Sequence, residues 1–341
     1  MSEGSDYDPG PWRGNDFSSA RKSYEKRIGR SYADAITKNK TQKDLLESCV
    51  STQCSSPLII AADHTGSMGK WIAQIFGKLG YLANEVKTYL GDDMQISFCA
   101  VGDAFSDSYP LQVRPFTGGL DLQSRLNELV IERGGGNNKG ESYELAALYY
   151  ANKFSSPMAL RKPVIVFICD DVPHDLVDRS QAKNIAGVNL SYNMSARDVF
   201  SELKSKFSVY VILKPPKAKA SMEDARNRKV YSRWVELLDE KHIKVLPVAE
   251  RVADVIFGIL AEDTDKNDEF IEDMEIRQTP EQRRVVYEAL GRNVDGTLKG
   301  VKSVGGMKSL ADKIVKMESL ASNGKSVLRP LPKKIKPGRL Y

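Results

Sequence analysis

Side chains with oxygen donors cluster at a few points of this 341-residue chain, and most of those points follow an apolar run. The run LIIAAD leads into Asp63-His64-Thr65-Gly66-Ser67-Met68, ISFCAV into Gly102-Asp103, and VIVFIC into Asp170-Asp171 with Pro173-His174-Asp175 just beyond. A glycine-rich stretch lies between the last two: Gly134-Gly135-Gly136-Asn137-Asn138-Lys139-Gly140-Glu141-Ser142. Asp63, Thr65 and Ser67 are two residues apart each time, and a tight strand-to-helix turn with that spacing can aim three oxygens at one point. Such donors suit a hard cation, Mg²⁺, Mn²⁺ or Ca²⁺. They do not suit zinc, which prefers sulfur and nitrogen. One carboxylate beside two hydroxyls brings little negative charge. A cation held there stays electron-poor and can take one more acidic ligand from outside, so the metal becomes a bridge to a partner.

The elements that must position these residues alternate. PLIIAAD, MQISFCAVG, PVIVFICDD, VYVILK and IKVLPV read as strands, with LQVRPF as a candidate edge strand. Uninterrupted apolar runs are how strands covered on both faces read. Met68, Ile72, Ile75, Phe76, Leu79, Leu82, Val86 and Leu90 recur at helical spacing, so one long amphipathic helix is expected there. LQSRLNELVIE, SYELAALYYANKF, MEDARNRKVYSRWVELLDEK and RVADVIFGILAE read as further helices. Strands alternating with helices predict an α/β fold with a doubly wound, mostly parallel sheet. The expected organisation is a disordered segment at 1–18, a helical N-terminal extension at 19–54 and the α/β domain at 55–261. An acidic linker and helical extension follow at 262–322, with a basic disordered tail at 323–341. The two helices expected after Glu262, PEQRRVVYEALG and MKSLADKIVKMESLA, have narrow apolar faces. Light packing is expected of them, and the chain beyond Glu262 is expected to be dispensable for the domain. In open α/β sheets ligands bind at the carboxyl ends of the strands, where the oxygen donors converge.

This pattern resembles the von Willebrand factor A (integrin I-like) family. The residues that carry the resemblance are LIIAAD, Asp63-x-Thr65-x-Ser67 followed by Met68-Gly69, the loop GGGNNKGES and the strand VIVFICDD, over about residues 55–260. The resemblance implies a Rossmann-like fold and a metal-ion-dependent adhesion site. Asp63, Thr65 and Ser67 would be ligands, and Asp170 matches the family's aspartate after the fourth strand. Asn137 falls where the family has a threonine, and Ser142 is an alternative for that place. The combination FTGGL…GGGNNxxES…DDVPHD looks like the intracellular branch, some members of which accompany kinases or AAA+ ATPases. The implied partner is a protein offering an Asp or Glu carboxylate, on an AAA+ ATPase or an assembly component. An alternative reading makes the chain itself a scaffold or structural component of a larger assembly, such as a phage.

A competing chemistry starts from Asp63-His64-Thr65-Gly66-Ser67, which is similar to the phosphorylation motif of P-type ATPases and haloacid-dehalogenase relatives. There Asp63 would be a nucleophile attacking a phosphoryl group with Mg²⁺ assistance. The immediate helix after Ser67, and a glycine loop with no role in that scheme, argue against it. The glycine loop lacks the GK(S/T) ending of a phosphate loop. The expected chain is therefore a non-enzymatic binding module. His64 reads as an exposed loop residue, His174 as a loop cap at the site edge, His242 as structural, and Trp71, Tyr149 and Tyr150 as packing residues.

Composition narrows the setting. Hydrophobic residues at 41% and charged residues at 28% exclude a wholly disordered chain. No run approaches a membrane span, no apolar signal core is seen and none of the four cysteines forms a CxxC pair, so a cytoplasmic protein with buried thiols at Cys99 and Cys169 is expected. A net charge of +5 gives no footprint for nucleic acid, except through the basic tail ending LRPLPKKIKPGRLY.

Overall fold

The computed structural model describes residues 41–119, 121–130, 140–215 and 224–299. The expectations for 1–40 and 300–341, the helix MKSLADKIVKMESLA among them, and the placement of Asn137 lie outside the described residues.

One six-stranded sheet organises the rest. Its strands are β1 (Leu58–Asp63), β2 (Ile96–Val101), β3 (Leu111–Val113), β4 (Val164–Cys169), β5 (Ser208–Leu213) and β6 (Ile243–Val245). The spatial order is β6-β5-β4-β1-β2-β3. All neighbours are parallel except β2 and β3, so LQVRPF does supply an antiparallel edge strand. Every residue of β1, β2 and β4 is buried, which explains their apolar runs: both faces are covered.

The helices are α1 (Gly69–Gly77), α2 (Leu79–Leu90), α3 (Asp121–Asn127), α4 (Tyr143–Lys153), α5 (Arg179–Asn184), α6 (Ala196–Lys206), α7 (Ala225–Leu238), α8 (Val252–Asp263), α9 (Asn267–Arg277) and α10 (Pro280–Ala289). Successive strand residues face opposite ways, so β1 feeds two cores. Leu58, Ile60 and Ala62 join Trp71, Val86, Val255 and Phe257 in one. Ile59 and Ala61 join Tyr143, Tyr150, Phe200 and Trp234 in the other. The result is an α/β fold, a mixed and mostly parallel sheet flanked by helices. No described helix is long and apolar enough to cross a membrane.

Several elements differ from expectation. The helix expected through 68–90 breaks at Lys78 into α1 and α2. Helix α6 was not foreseen; Ser195 caps it by accepting from the Asp198 N–H, and Val199, Phe200 and Leu203 face the core. Of the expected N-terminal helical extension, residues 41–54 hold only a 3-10 turn at Gln42–Leu45 and a short strand, Val50–Ser51, parallel to Phe154–Ser155.

The expectation of light packing after Glu262 is corrected. Phe270 and Met274 of α9 lie four residues apart and are buried, while the acidic side chains of the same helix occupy its other faces. Helix α10 opens with a capping box: Thr279 accepts from the Gln282 N–H and Gln282 reaches back to the Thr279 N–H, with Pro280 at the first position. Its Val286 and Tyr287, with Leu290 beyond, join the same core as β1 and α8. Gly258 permits that approach, since a Cβ there would stand 2.2 Å from Leu290 Cδ1. A narrow apolar face suffices because only one side of each helix meets the domain.

Cys99 and Cys169 are buried free thiols, as expected, and burial pushes both well above the usual range.

Candidate functional site

Strand order reverses between β1 and β4. From β1 the chain moves to β2 and β3 on one side and returns at β4 on the other. The carboxyl ends of β1 and β4 therefore flank a crevice of the kind that binds ligands in open α/β sheets. Asp63 is the last residue of β1, and Asp170 directly follows β4.

The turn after β1 gathers the spaced motif. Asp63 is fully buried. Its Oδ1 accepts from the Thr65 N–H at 2.8 Å and from Thr65 Oγ1 at 2.7 Å. Thr65 Oγ1 lies 3.3 Å from Ser67 Oγ. The Thr65 proton is committed to Asp63, so Ser67 is the donor to Thr65. Both hydroxyls then keep lone pairs for a cation. Thr65 is also the N-cap of the 3-10 turn Gly66–Met68 that leads into α1, yet its hydroxyl accepts from no backbone N–H of that turn. The other carboxylate oxygen, Asp63 Oδ2, accepts from Tyr143 Oη at 2.7 Å. Tyr143 opens α4, and its ring is wedged against Trp234 (5.5 Å between centroids) and Phe167 (6.5 Å). Burial, and then the charge of Asp170, pushes Asp63 up to about 7. The two carboxylates thus feel each other across the crevice.

Asp170 Oδ2 accepts from Lys214 Nζ at 2.7 Å. The same ammonium donates to the Ser67 carbonyl at 2.8 Å, so it spans the crevice from the β4 side to the β1 turn. Register explains this meeting. Cys169 pairs with Leu213, and the Lys214 N–H donates to the Cys169 carbonyl. Asp171 faces the other way: its Oδ2 meets Arg226 at 3.1 Å and its carbonyl accepts from Trp234 Nε1 at 2.9 Å.

A second acidic group borders the crevice. Asp103, after β2, accepts from His174 Nε2 at 2.9 Å and from the Phe105 N–H. The His174 N–H donates to Glu144 Oε2, and Glu144 is buried. Ser142 is fully buried and accepts from the Ala104 N–H, which ties its hydroxyl to the Asp103 loop. Glu141 Oε2 is buried and has no hydrogen-bond partner among the described residues; burial first, and Asp63 next, push this carboxyl up to about 10.

His64 is buried at 5% exposure rather than exposed as expected, and burial pushes its imidazole down to about 3. It therefore stays neutral and offers no base at the surface. His174 does sit at the site edge, and His242 is structural, with Nδ1 2.6 Å from the Leu238 carbonyl. Trp71, Tyr149 and Tyr150 are core residues.

Of the sequence-derived set, Asp63, Thr65 and Ser67 are brought together and Asp170 stands across the crevice from them. Among the described residues, no group of three or more His, Cys, Asp or Glu side chains is arranged to hold an ion. The candidate set does not need one, since two of its four described members are hydroxyls. Its donors fit a hard cation on three grounds: all are oxygen, Glu141 leaves a buried carboxyl oxygen unpartnered beside Asp63, and a positive group, Lys214, is already held against Asp170. Tyr143 and Lys214 were missed from sequence. Tyr143 gave no signal, whereas Lys214 could have been found by applying the strand-end rule to VYVILK.

No family model matches the chain, and no curated protein does. Two crystal structures of the pilus adhesin SpaC from Lactobacillus rhamnosus GG, one of them in an open conformation, are similar to it at 9% identity. Their TM-scores are 0.45 and 0.43, over 64% and 67% of this chain. The chain spans 31% of the adhesin's length.

Proposed function

We propose that this chain is a cation-dependent protein-binding module of the von Willebrand factor A type, with a Rossmann-like, doubly wound sheet. The observation that supports it best is the chain of hydrogen bonds from Ser67 through Thr65 to Asp63, built at the strand-order reversal and facing Asp170. Asp63, Thr65, Ser67 and Asp170 would hold Mg²⁺ or Mn²⁺, with Asn137 from the glycine loop as the expected further ligand. When bound, the ion supplies an open coordination position for a carboxylate from the partner, and hard cations favour oxygen. This chain's residues do the positioning. Tyr143 orients the Asp63 carboxylate, and Asp63 in turn orients the Thr65 hydroxyl. The partner is a protein with an exposed Asp or Glu, on an AAA+ ATPase or on a component of a larger assembly. Phosphoryl transfer gains no such support, because the turn at Ser67 runs directly into helix α1 and the glycine loop has no role in that scheme.

The test is a pull-down with the full chain as bait, followed by mass spectrometry, with calorimetry alongside. EDTA should release the partner, and Mg²⁺ or Mn²⁺ should restore it. Asp63→Ala should abolish Mg²⁺ binding while the protein stays folded, and Thr65→Ala should weaken partner binding. A partner retained in EDTA, or one lost only at high salt, would refute the metal bridge and point to the basic tail.

A further inference from the structure

We propose that Lys214 is a built-in competitor of the divalent cation, an internal positive charge that must leave Asp170 before the ion binds. This rests on the cation-site reading above and concerns how that site is regulated.

The geometry is that of a tethered cation in a ligand's place. Lys214 Nζ is 2.7 Å from Asp170 Oδ2 and 2.8 Å from the Ser67 carbonyl. One partner is the carboxylate assigned to the ion, and the other is the backbone of a residue whose hydroxyl is assigned to it. The ammonium therefore joins the two walls of the crevice, as a bound ion would.

Charge makes the two cations exclusive. With both carboxylates ionised, Asp63 and Asp170 keep one net negative charge beside Lys214 alone. A divalent ion alone neutralises them. With both present the cluster carries one positive charge, and the ammonium and the ion share an oxygen at contact distance, where like charges repel strongly because the surroundings are partly desolvated.

Lys214 is also built to move. Its backbone N–H is fixed on the Cys169 carbonyl at 2.8 Å, so the strand stays in place when the side chain leaves. The side chain is 23% exposed, so the ammonium has a path to water. The lysine stem is flexible, and its ammonium is well hydrated once released. The protein thus carries its own stand-in charge, and the ion must displace it. Occupancy is then set by the balance between free cation and a fixed internal competitor, which lowers the apparent affinity by the fraction of time Lys214 occupies Asp170.

The experiment measures Mn²⁺ binding by calorimetry and electron paramagnetic resonance on the full chain, on Lys214→Met and Lys214→Gln, and on each of these combined with Asp63→Ala. Circular dichroism checks that each variant is folded. Removing a charge-assisted hydrogen bond that opposes binding should tighten Mn²⁺ about tenfold in both position-214 variants. Asp63→Ala should abolish binding in every background. In EDTA the melting temperature of Lys214→Met should fall below wild type, and Mn²⁺ should raise it by more than it raises wild type. Binding seen only in the position-214 variants would support the competition in its strongest form. Unchanged or weaker Mn²⁺ binding in those variants, with Asp63→Ala still abolishing it, would overturn the competition and leave the cation site standing. Absence of Mn²⁺ binding in all folded variants would overturn both, and Lys214 would then be a permanent ion pair in place of a metal.

Discussion

Phe270→Ala is predicted to destabilise the protein by about 4 kcal/mol. The side chain is 1% exposed, in helix α9 within the acidic stretch. Phenylalanine-to-alanine changes in cores cost about 3–5 kcal/mol, depending on how far the site can collapse. Collapse is restricted here. The guanidinium of Arg292 lies over the ring, 4.9 Å from its centroid, and is itself held by the Gly258 carbonyl at 3.2 Å and Asn267 Oδ1 at 2.7 Å. Tyr287 packs at 6.3 Å between ring centroids. A cavity left under a fixed guanidinium keeps its volume, and the cation–π contact is lost with the ring. Set against a typical folding stability of about 5–15 kcal/mol, this is a large fraction. It corresponds to a fall in melting temperature of roughly 8–16 °C for a domain of this size. Urea titration should show a lower midpoint with the slope unchanged. A loss below about 1 kcal/mol would refute the reasoning: α9 would then be an accessory packed lightly on the domain.

Truncation after Ala261 should abolish the cooperative melt, because the faces of α8 and α2 covered by Phe270, Met274 and Leu290 become exposed; a sharp melt in that fragment would contradict the shared core. Tyr143→Phe should cost about 1.5–3 kcal/mol, the value of a buried hydrogen bond to a charged group, while its ring contacts to Trp234 and Phe167 remain; chemical denaturation reads this, and a neutral result would show that the hydroxyl does not support Asp63. Burial holds Glu144 well above the usual carboxylate range. The folded protein holds that proton more tightly than the unfolded chain, which sheds it above about pH 4.5, so this group lowers stability as pH rises above that point. Glu144→Gln should remove that trend, by up to about 1.4 kcal/mol per pH unit, and parallel stability profiles for the two proteins would count against it. Cys99 and Cys169 should react slowly with thiol reagents in the native protein, whereas fast labelling at either would contradict their burial in β2 and β4.

The sheet was legible because strands covered on both faces leave unbroken apolar runs, and PLIIAAD and PVIVFICDD can hardly be read otherwise. Helix α6 was overlooked although Val199, Phe200 and Leu203 mark its apolar face, since the segment before it, through Asn193, is rich in loop formers and masks the start. Helix α9 hid behind its charge: eight acidic residues from Glu262 to Glu275 suggest a solvated linker, and only two buried apolar positions four apart reveal a packed face. At the site, Asp63, Thr65 and Ser67 were legible because their geometry is local to one turn. Asp170 was legible because strand ends collect ligands. Lys214 stands at a strand end by the same rule, but its partner does not follow from that, since pairing with Asp170 depends on the register of β4 against β5. The burial of His64 was equally invisible, being set by neighbouring elements rather than by its own loop.

The sheet's two rims have a consequence for how this chain can associate. Both edge strands, β3 and β6, are three residues long. Beside β3, Leu46 bridges to Val113 and the Gln42 side chain donates to the Leu111 carbonyl, so part of its outer row of backbone groups is taken. At the other rim, β6 carries Lys244 at its centre, buried and paired with Glu262 at 3.2 Å. Short, covered or charged rims resist the addition of a foreign strand. The long apolar strands, the segments most prone to stack with copies of themselves, are confined to the interior of the sheet. Growth by strand addition is thereby disfavoured on both sides. Among the described residues, that leaves loops and helix surfaces for contacts with other chains.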